Sequence, residues 1–169
     1  MWNKIYRKHL FDDITFPIGR GLDEDLSIQH QLFHKASSSI YFESEFYFYL
    51  HRPGSICSAT DVQSVAKKII DRNSARWERY LFTLNHEEYH AMLEKMQNIF
   101  VSVCLAGLRM AIKNPDLFPE NYWNDERTKV QSIPLKKKMK EYFSTQKRIE
   151  YFLFTHLPFI YKLIIKHIY

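Results

Sequence analysis

Two groups of residues have side chains and spacing that could perform catalysis. The first is the acidic cluster Asp23-Glu24-Asp25, which follows a loop containing Pro17, Gly19 and Gly21 and begins a helical pattern. A carboxylate at such a position can take the proton from a hydroxyl group that acts as a nucleophile. Acidic residues also suit the positive end of a helix dipole, so capping alone is the structural alternative.

The second group is His86-Glu87-Glu88-Tyr89-His90, which fits the pattern His-Glu-x-x-His. On an α-helix the two histidines share one face and can bind zinc, while Glu87 activates a water molecule. Glu88, however, is charged where zinc proteases usually have an uncharged residue, and no clear third ligand follows. A polar first turn of a long helix is the favoured interpretation of the segment, and a zinc-dependent hydrolase is kept as an alternative function.

Composition excludes several classes of protein. The chain has 169 residues, 46% of them hydrophobic, which is enough for a packed core. Its four glycines form neither a Gly-x-Gly-x-x-Gly nor a Walker-type loop, which disfavours a self-contained nucleotide fold. Cys57 and Cys104 form no Cys-x-x-Cys pair, and no signal peptide or long apolar run is present. These features favour a cytoplasmic location.

The net charge of +5 is concentrated at one end of the chain. Residues 1–57 carry −1, residues 58–132 are neutral, and residues 133–169 carry +6. A nucleic-acid-binding surface would spread its positive charge more widely. We therefore expect no nucleic-acid partner and treat residues 133–169 as a separate basic, amphipathic tail.

Helices and two short strands are predicted to position the candidate groups. Apolar spacing of three and four predicts the helices, and runs of aromatic and β-branched residues predict the strands. The predicted fold class is α+β and mostly helical. The predicted helices run from Asp23 to about Ala36, from Asp61 to about Leu84 and from His86 to about Lys113, and the predicted strands are Ile40–Phe42 and Phe46–Leu50.

Several short motifs occur in a fixed order over residues 2–57. A Trp-Asn-Lys-Ile-Tyr segment precedes a Phe-Pro loop with Gly19-Arg20, a Glu-Asp pair begins a helix, and aromatic runs lead to Arg52-Pro53-Gly54-Ser55-Ile56. This order resembles the C-terminal part of the catalytic domain of bacterial family 2 glycosyltransferases, which build surface glycans. The resemblance implies a partial GT-A fold, helices plus short strands, over residues 1–57, followed by a helical extension over residues 58–132.

The resemblance implies roles for individual residues. Asp25 matches the catalytic base, and Glu24 matches its neighbour, which positions the acceptor or the base. His51 and Arg52 match basic groups near the donor diphosphate, a role that suits the guanidinium fork, although an exposed basic loop end is an equal alternative. The acceptor side is matched by Trp2, Asn3 and Lys4, of which Trp2 could equally belong to the core.

The nucleotide-binding half of that family has no counterpart in residues 1–169. It carries an Asp-x-Asp motif for a divalent metal and the nucleoside diphosphate, whereas Asp23-Glu24-Asp25 aligns with the base. We therefore expect no metal site or cofactor in this chain, a Mn²⁺ or Mg²⁺ ion only together with the missing half, and no transferase activity of the chain alone. The implied function is sugar transfer from a nucleotide-sugar to a surface-glycan or lipid-linked acceptor.

Residues 149–169 combine large apolar side chains with Lys162, Lys166 and His167. Basic amphipathic segments favour anionic membrane surfaces. The alternative is a last helix, bent at Pro158, that packs its aromatic face on the domain. Peripheral contact with the inner membrane face is therefore one expectation, and a non-catalytic membrane-associated interaction protein is a third possible function.

Overall fold

The computed structural model of the chain describes residues 4–43, 47, 48, 50, 58–135 and 142–168. All regular secondary structure in these residues is helical, and none of their helices combines the length and apolar character needed to cross a membrane. The α-helices are α1 (Glu24–Lys35), α2 (Val62–Asn85), α3 (Leu93–Lys113), α4 (Tyr122–Gln131), α5 (Thr145–His156) and α6 (Pro158–Ile168). Short 3₁₀-helices cover Lys8–Phe11, Glu87–Met92 and Pro115–Leu117.

The chain divides into two compact units, Met1–Phe82 and Thr83–Tyr169, called here the N-terminal and C-terminal units. This division lies within α2. The boundaries at residues 57 and 132, which rest on composition and the family resemblance, stay a prediction.

The N-terminal unit has a small apolar core. Leu10 of the first 3₁₀-helix is buried against Ile28 and Leu32, which lie four residues apart on one face of α1. Tyr6 and Ile14 pack at the edge of this cluster. The stretch from Tyr6 to Ile14 is thereby held against the helix that begins with Glu24 and Asp25.

Helix α2 begins after a side-chain cap. The carboxylate of Asp61 accepts a hydrogen bond from the backbone N–H of Ser64 at 2.8 Å, as in an N-cap. Towards its other end, the Phe82 ring lies 4.6 Å from the ring of His30 and 5.4 Å from that of His34, both on α1. The sequence predicts both α1 and α2 to within one residue at each end, and these predictions are confirmed.

The C-terminal unit has a larger core that is built around α3. Aromatic rings complete it: the Trp123 ring lies 5.5 Å from that of Phe154 and 6.1 Å from that of Tyr161. The side chains that are completely buried in this unit include Phe100, Val101, Cys104, Leu105, Leu108, Val130 and Phe154. Burial raises the pKa of the Cys104 thiol well above its usual value.

The α+β fold class, with the short strands of the implied partial GT-A segment, is wrong for the residues described, whereas the mostly helical character is confirmed. Ile40, Tyr41 and Phe42 form no strand, and neither do Tyr47, Phe48 and Leu50; the rest of the segment predicted as Phe46–Leu50 lies outside the described residues. Aromatic and β-branched side chains suit a pleated surface, but a strand needs a neighbour to pair its backbone. No sheet exists in the described part of the chain, and Ile40, Tyr41 and Phe42 are 77%, 87% and 69% exposed.

The third predicted helix begins later than expected. His86 is extended (φ −127°, ψ 105°), Glu87–Met92 is a 3₁₀-helix, and the α-helix starts only at Leu93. Asn85 ends α2 instead of capping α3, because the apolar spacing of three and four becomes regular only from Leu93 onward. The last helical stretch is two helices: α5 ends at His156 and α6 begins at Pro158.

Candidate functional site

The first turn of α1 presents the two candidate acids of the N-terminal unit. Glu24 and Asp25 are the first two residues of the helix and are both partly buried. A negative charge is favourable there because the first turn leaves backbone N–H groups unpaired and the helix dipole is positive at this end. The preceding Asp23 adopts the left-handed conformation (φ 57°), which Asp tolerates better than most residues.

Arg20 fixes the loop that leads into this turn. Its guanidinium donates to both carboxylate oxygens of Glu78 on α2, at 2.8 and 2.5 Å, and also to the hydroxyl of Ser27. This is the two-pronged geometry that makes arginine–carboxylate pairs directional. Burial by itself would raise the pKa of Glu78, but the hydrogen bonds and charge of Arg20 outweigh it and hold that pKa below its ordinary value.

Two further contacts hold the same loop on α2. The backbone N–H of Gly21 donates to the buried carboxylate of Asp71 at 3.1 Å, and Arg72 Nε donates to Asp23 Oδ2 at 3.0 Å. Together with Arg20 they fix three of the four residues that precede α1. The direction in which Glu24 and Asp25 leave the loop is therefore set by polar side chains of α2.

Tyr6 lies within electrostatic range of Asp25. Burial raises the pKa of its phenol, and the negative charge of Asp25 raises it further. A hydrogen bond with the side chain of Gln29, also on α1, opposes this rise. The two motifs, which lie nineteen residues apart in sequence, thus approach each other at the start of α1.

Arg76, on α2, adds positive charge near the loop. Burial is the main cause that lowers the pKa of its guanidinium; Asp23 opposes this shift and Arg72 adds to it. Its Nε atom is buried without a hydrogen-bond partner in the part of the chain that the structure describes. Arg20 and Arg72 are paired with Glu78 and Asp23, so Arg76 is an additional positive charge near the loop that leads into α1.

Three of the seven predicted site residues lie within the described residues. Asp25 and Glu24 share the first turn of α1, and Lys4 is exposed two residues before Tyr6. The other four, Trp2, Asn3, His51 and Arg52, lie outside the described residues. Sequence reasoning missed Tyr6, although it belongs to the same Trp-Asn-Lys-Ile-Tyr segment, and it missed Arg76, which no local pattern distinguishes from other helix surface residues.

The His-Glu-x-x-His segment does not form the α-helical face that zinc binding by this motif requires. Its residues lie in an extended cap and a 3₁₀-helix, where side chains four apart point in different directions. His90 Nε2 lies 3.0 Å from the carbonyl oxygen of Leu84 and is engaged there. In the described ranges, no group of three or more His, Cys, Asp or Glu side chains is arranged to hold a metal ion.

A partly buried polar cluster in the C-terminal unit is centred on Glu150. Glu150 accepts hydrogen bonds from Arg109 at 2.5 Å and from the Tyr161 hydroxyl at 2.9 Å. Burial is the main cause that raises the pKa of Tyr161, and Glu150 contributes to it. These hydrogen bonds join α3, α5 and α6 through one carboxylate oxygen of Glu150.

Comparison with family models, with curated proteins and with solved structures finds no match to this chain.

Proposed function

We propose that the chain provides the acceptor side of a glycosyltransferase of the family 2 type, with Asp25 as the catalytic base. The observation that carries the proposal is the ordered run of motifs from Trp2 to Ile56. Within that run, Asp25 takes the position of the base. Its placement in the first turn of α1, near Tyr6, is compatible with that role.

The reaction needs a carboxylate that receives one proton. The acceptor hydroxyl oxygen attacks the anomeric carbon, a new glycosidic bond forms, and the bond to the nucleoside diphosphate breaks. Asp25 takes the hydroxyl proton as the oxygen attacks, and the diphosphate leaves with the electrons of the broken bond. Glu24 positions the acceptor or the base.

Three features of the N-terminal unit support this proposal. The polar contacts of Arg20 and Gly21 with α2 hold the loop before Asp25 in one position, as a catalytic group requires. The phenol of Tyr6 lies within electrostatic range of Asp25, as the resemblance predicts for two motifs of one site. The positive charge of Arg76 near the loop suits the negative charge of a leaving diphosphate.

The exposed apolar side chains of this unit are a further support. Ile18, Tyr41 and Phe42 are all largely exposed, which is unusual for side chains of this size in a domain with a complete core. In a family 2 enzyme the donor-binding half packs against the acceptor side. We therefore expect activity only when a donor-binding half is present.

The test is complementation. Three samples are assayed: the chain alone, the Asp-x-Asp-containing donor half of a family 2 enzyme alone, and the two combined. Each sample receives a panel of nucleotide-sugars, Mn²⁺ or Mg²⁺, and glycan acceptors. We expect release of nucleoside diphosphate only from the combination. Turnover by the chain alone would contradict the proposal that a separate half must bind the donor. A folded combination that binds nucleotide but transfers no sugar would contradict the glycosyltransferase function.

A further inference from the structure

Helix α6 has one buried face and one exposed face. Tyr161 and Ile165 are buried in the core of the C-terminal unit, whereas Phe159 and Leu163 are 74% and 43% exposed. With 3.6 residues per turn, Phe159 and Leu163 lie next to each other on the side opposite Tyr161. We propose that this exposed face of α6, called here the α6 face, docks on an anionic phospholipid surface.

The charge of α6 fits such a surface. Exposed Lys162 and Lys166 lie on one side of the Phe159–Leu163 pair, exposed His167 lies on the other, and the helix contains no acidic residue. Lys162 Nζ stands 4.2 Å above the Trp123 ring, which holds this cation beside the apolar side chains. An apolar centre bordered by cations matches the acyl and phosphate layers of an anionic bilayer.

A cavity of about 340 Å³ lies beside the α6 face. It is lined by Trp123, Phe159 and Leu163 together with Lys162 and Lys166. A lipid can place its phosphate between the two ammonium groups while its acyl chain covers the apolar lining. The open cavity therefore has the same combination of apolar side chains and cations as the α6 face beside it.

The length of α6 decides how it meets the bilayer. Eleven residues at 1.5 Å each give about 16 Å, roughly half of the hydrocarbon thickness of a bilayer. Because Tyr161 and Ile165 must stay in the core, the helix lies along the surface and inserts only Phe159 and Leu163. This geometry is that of an interfacial helix and not of a spanning one.

The positive charge of the α6 face favours an anionic lipid surface over a second copy of the chain as its binding partner. A two-fold contact through the α6 face would bring Lys162 and Lys166 of one copy close to the same residues of the other, since such contacts are self-complementary. Helix α6 contains no acidic residue that could offset this repulsion. An anionic lipid surface replaces repulsion by attraction. The proposal rests on the C-terminal unit alone and is independent of the glycosyltransferase proposal.

The experiment is co-sedimentation of the full chain with vesicles. One set contains phosphatidylcholine with about one third phosphatidylglycerol, and the other contains phosphatidylcholine alone. We expect binding to the anionic vesicles only, and its loss at about 0.5 M salt. Two exposed changes, Lys162→Gln and Lys166→Gln together, are expected to weaken binding about 30-fold, at about five-fold for each cation near the surface. Phe159→Ser is expected to weaken it at least about ten-fold.

The matched control is the double change Lys67→Gln and Lys95→Gln, which removes the same charge from exposed sites elsewhere. Circular dichroism verifies that each variant is folded. Equal weakening by the control, unchanged binding in Phe159→Ser, or recovery of the chain in the supernatant with anionic vesicles would overturn the proposal. A concentration-dependent dimer in light scattering that Phe159→Ser abolishes would overturn it in favour of self-association.

Discussion

The N-terminal unit and the C-terminal unit are each stabilised internally by a different kind of interaction. In the N-terminal unit, Ile28 and Leu32 of α1 form a small apolar cluster with Leu10. The loop that precedes α1 is held by charged side chains, above all by the pair of Arg20 and Glu78. The C-terminal unit has many completely buried side chains, among them Phe100 and Leu105. Its Glu150 carboxylate accepts hydrogen bonds from Arg109 and Tyr161 of the same unit. One unit depends on directed polar contacts, and the other depends on packing.

This difference has consequences for function. Polar contacts fix the direction of a short loop and its acidic turn, which is what a catalytic carboxylate needs, but they contribute little free energy when they are partly exposed. A packed core contributes stability but no reactive group. The N-terminal unit should therefore respond to loss of single charges and to pH, and the C-terminal unit should respond to loss of packed volume.

The largest expected effect is on the C-terminal core. Phe100→Ala removes a fully buried ring and is expected to lower the free energy of unfolding by about 3–5 kcal/mol. Urea denaturation followed by circular dichroism measures this change. The matched variant Phe159→Ala removes an exposed ring and should change the value by less than about 0.5 kcal/mol. Equal effects of the two variants would contradict the assignment of Phe100 to the core.

A smaller effect is expected from the charged contacts of the loop. Arg20→Ala removes the hydrogen bonds to Glu78 and Ser27 and is expected to destabilise the loop and α1 by about 1–3 kcal/mol. Amide hydrogen exchange of residues 21–30 measures the loss locally. Lys95→Ala, at an exposed site of the C-terminal unit, is the control. Unchanged exchange at residues 21–30 in Arg20→Ala would show that the loop does not depend on this contact.

The smallest effect is a dependence on pH. Because the pKa of Glu78 is lower in the folded chain than its ordinary value of 4.5, this pair stabilises the loop above that pH. The contribution is lost as the pH falls through the lower, folded-state pKa. Glu78 is partly exposed, so we expect less than about 1 kcal/mol. Glu78→Gln should flatten the acid dependence of exchange at residues 21–30, and an unchanged slope would contradict the pair's role.

Local sequence signals predicted the helices that carry the candidate acids. The predicted bounds of α2 agree with the structure to within one residue, and the acidic start and apolar spacing of α1 agree with its bounds. Local signals failed at Ile40–Phe42, where side-chain type favours a strand but no neighbour pairs with it. They also failed at His86–His90, where an α-helix was predicted and a 3₁₀-helix forms from Glu87. The residue types of a His-Glu-x-x-His pattern do not determine which of the two helices forms.

Long-range contacts within the N-terminal unit were outside the reach of sequence patterns. Arg20 meets Glu78 across 58 residues, and Gly21 meets Asp71 across 50. No periodicity connects such positions. The sequence therefore predicted which acids are candidates, but not which side chains on α2 hold them in place.

The most direct test of the central claim compares two aspartates of the N-terminal unit. Asp25→Asn and Asp12→Asn are each combined with the donor half, and the rate of nucleoside-diphosphate release at saturating acceptor is measured beside the wild-type chain. Removal of a general base is expected to slow the reaction by about 10²–10⁴-fold in Asp25→Asn, with Asp12→Asn, an exposed loop residue, unchanged. A rate in Asp25→Asn close to that of Asp12→Asn would contradict the assignment of Asp25 as the base.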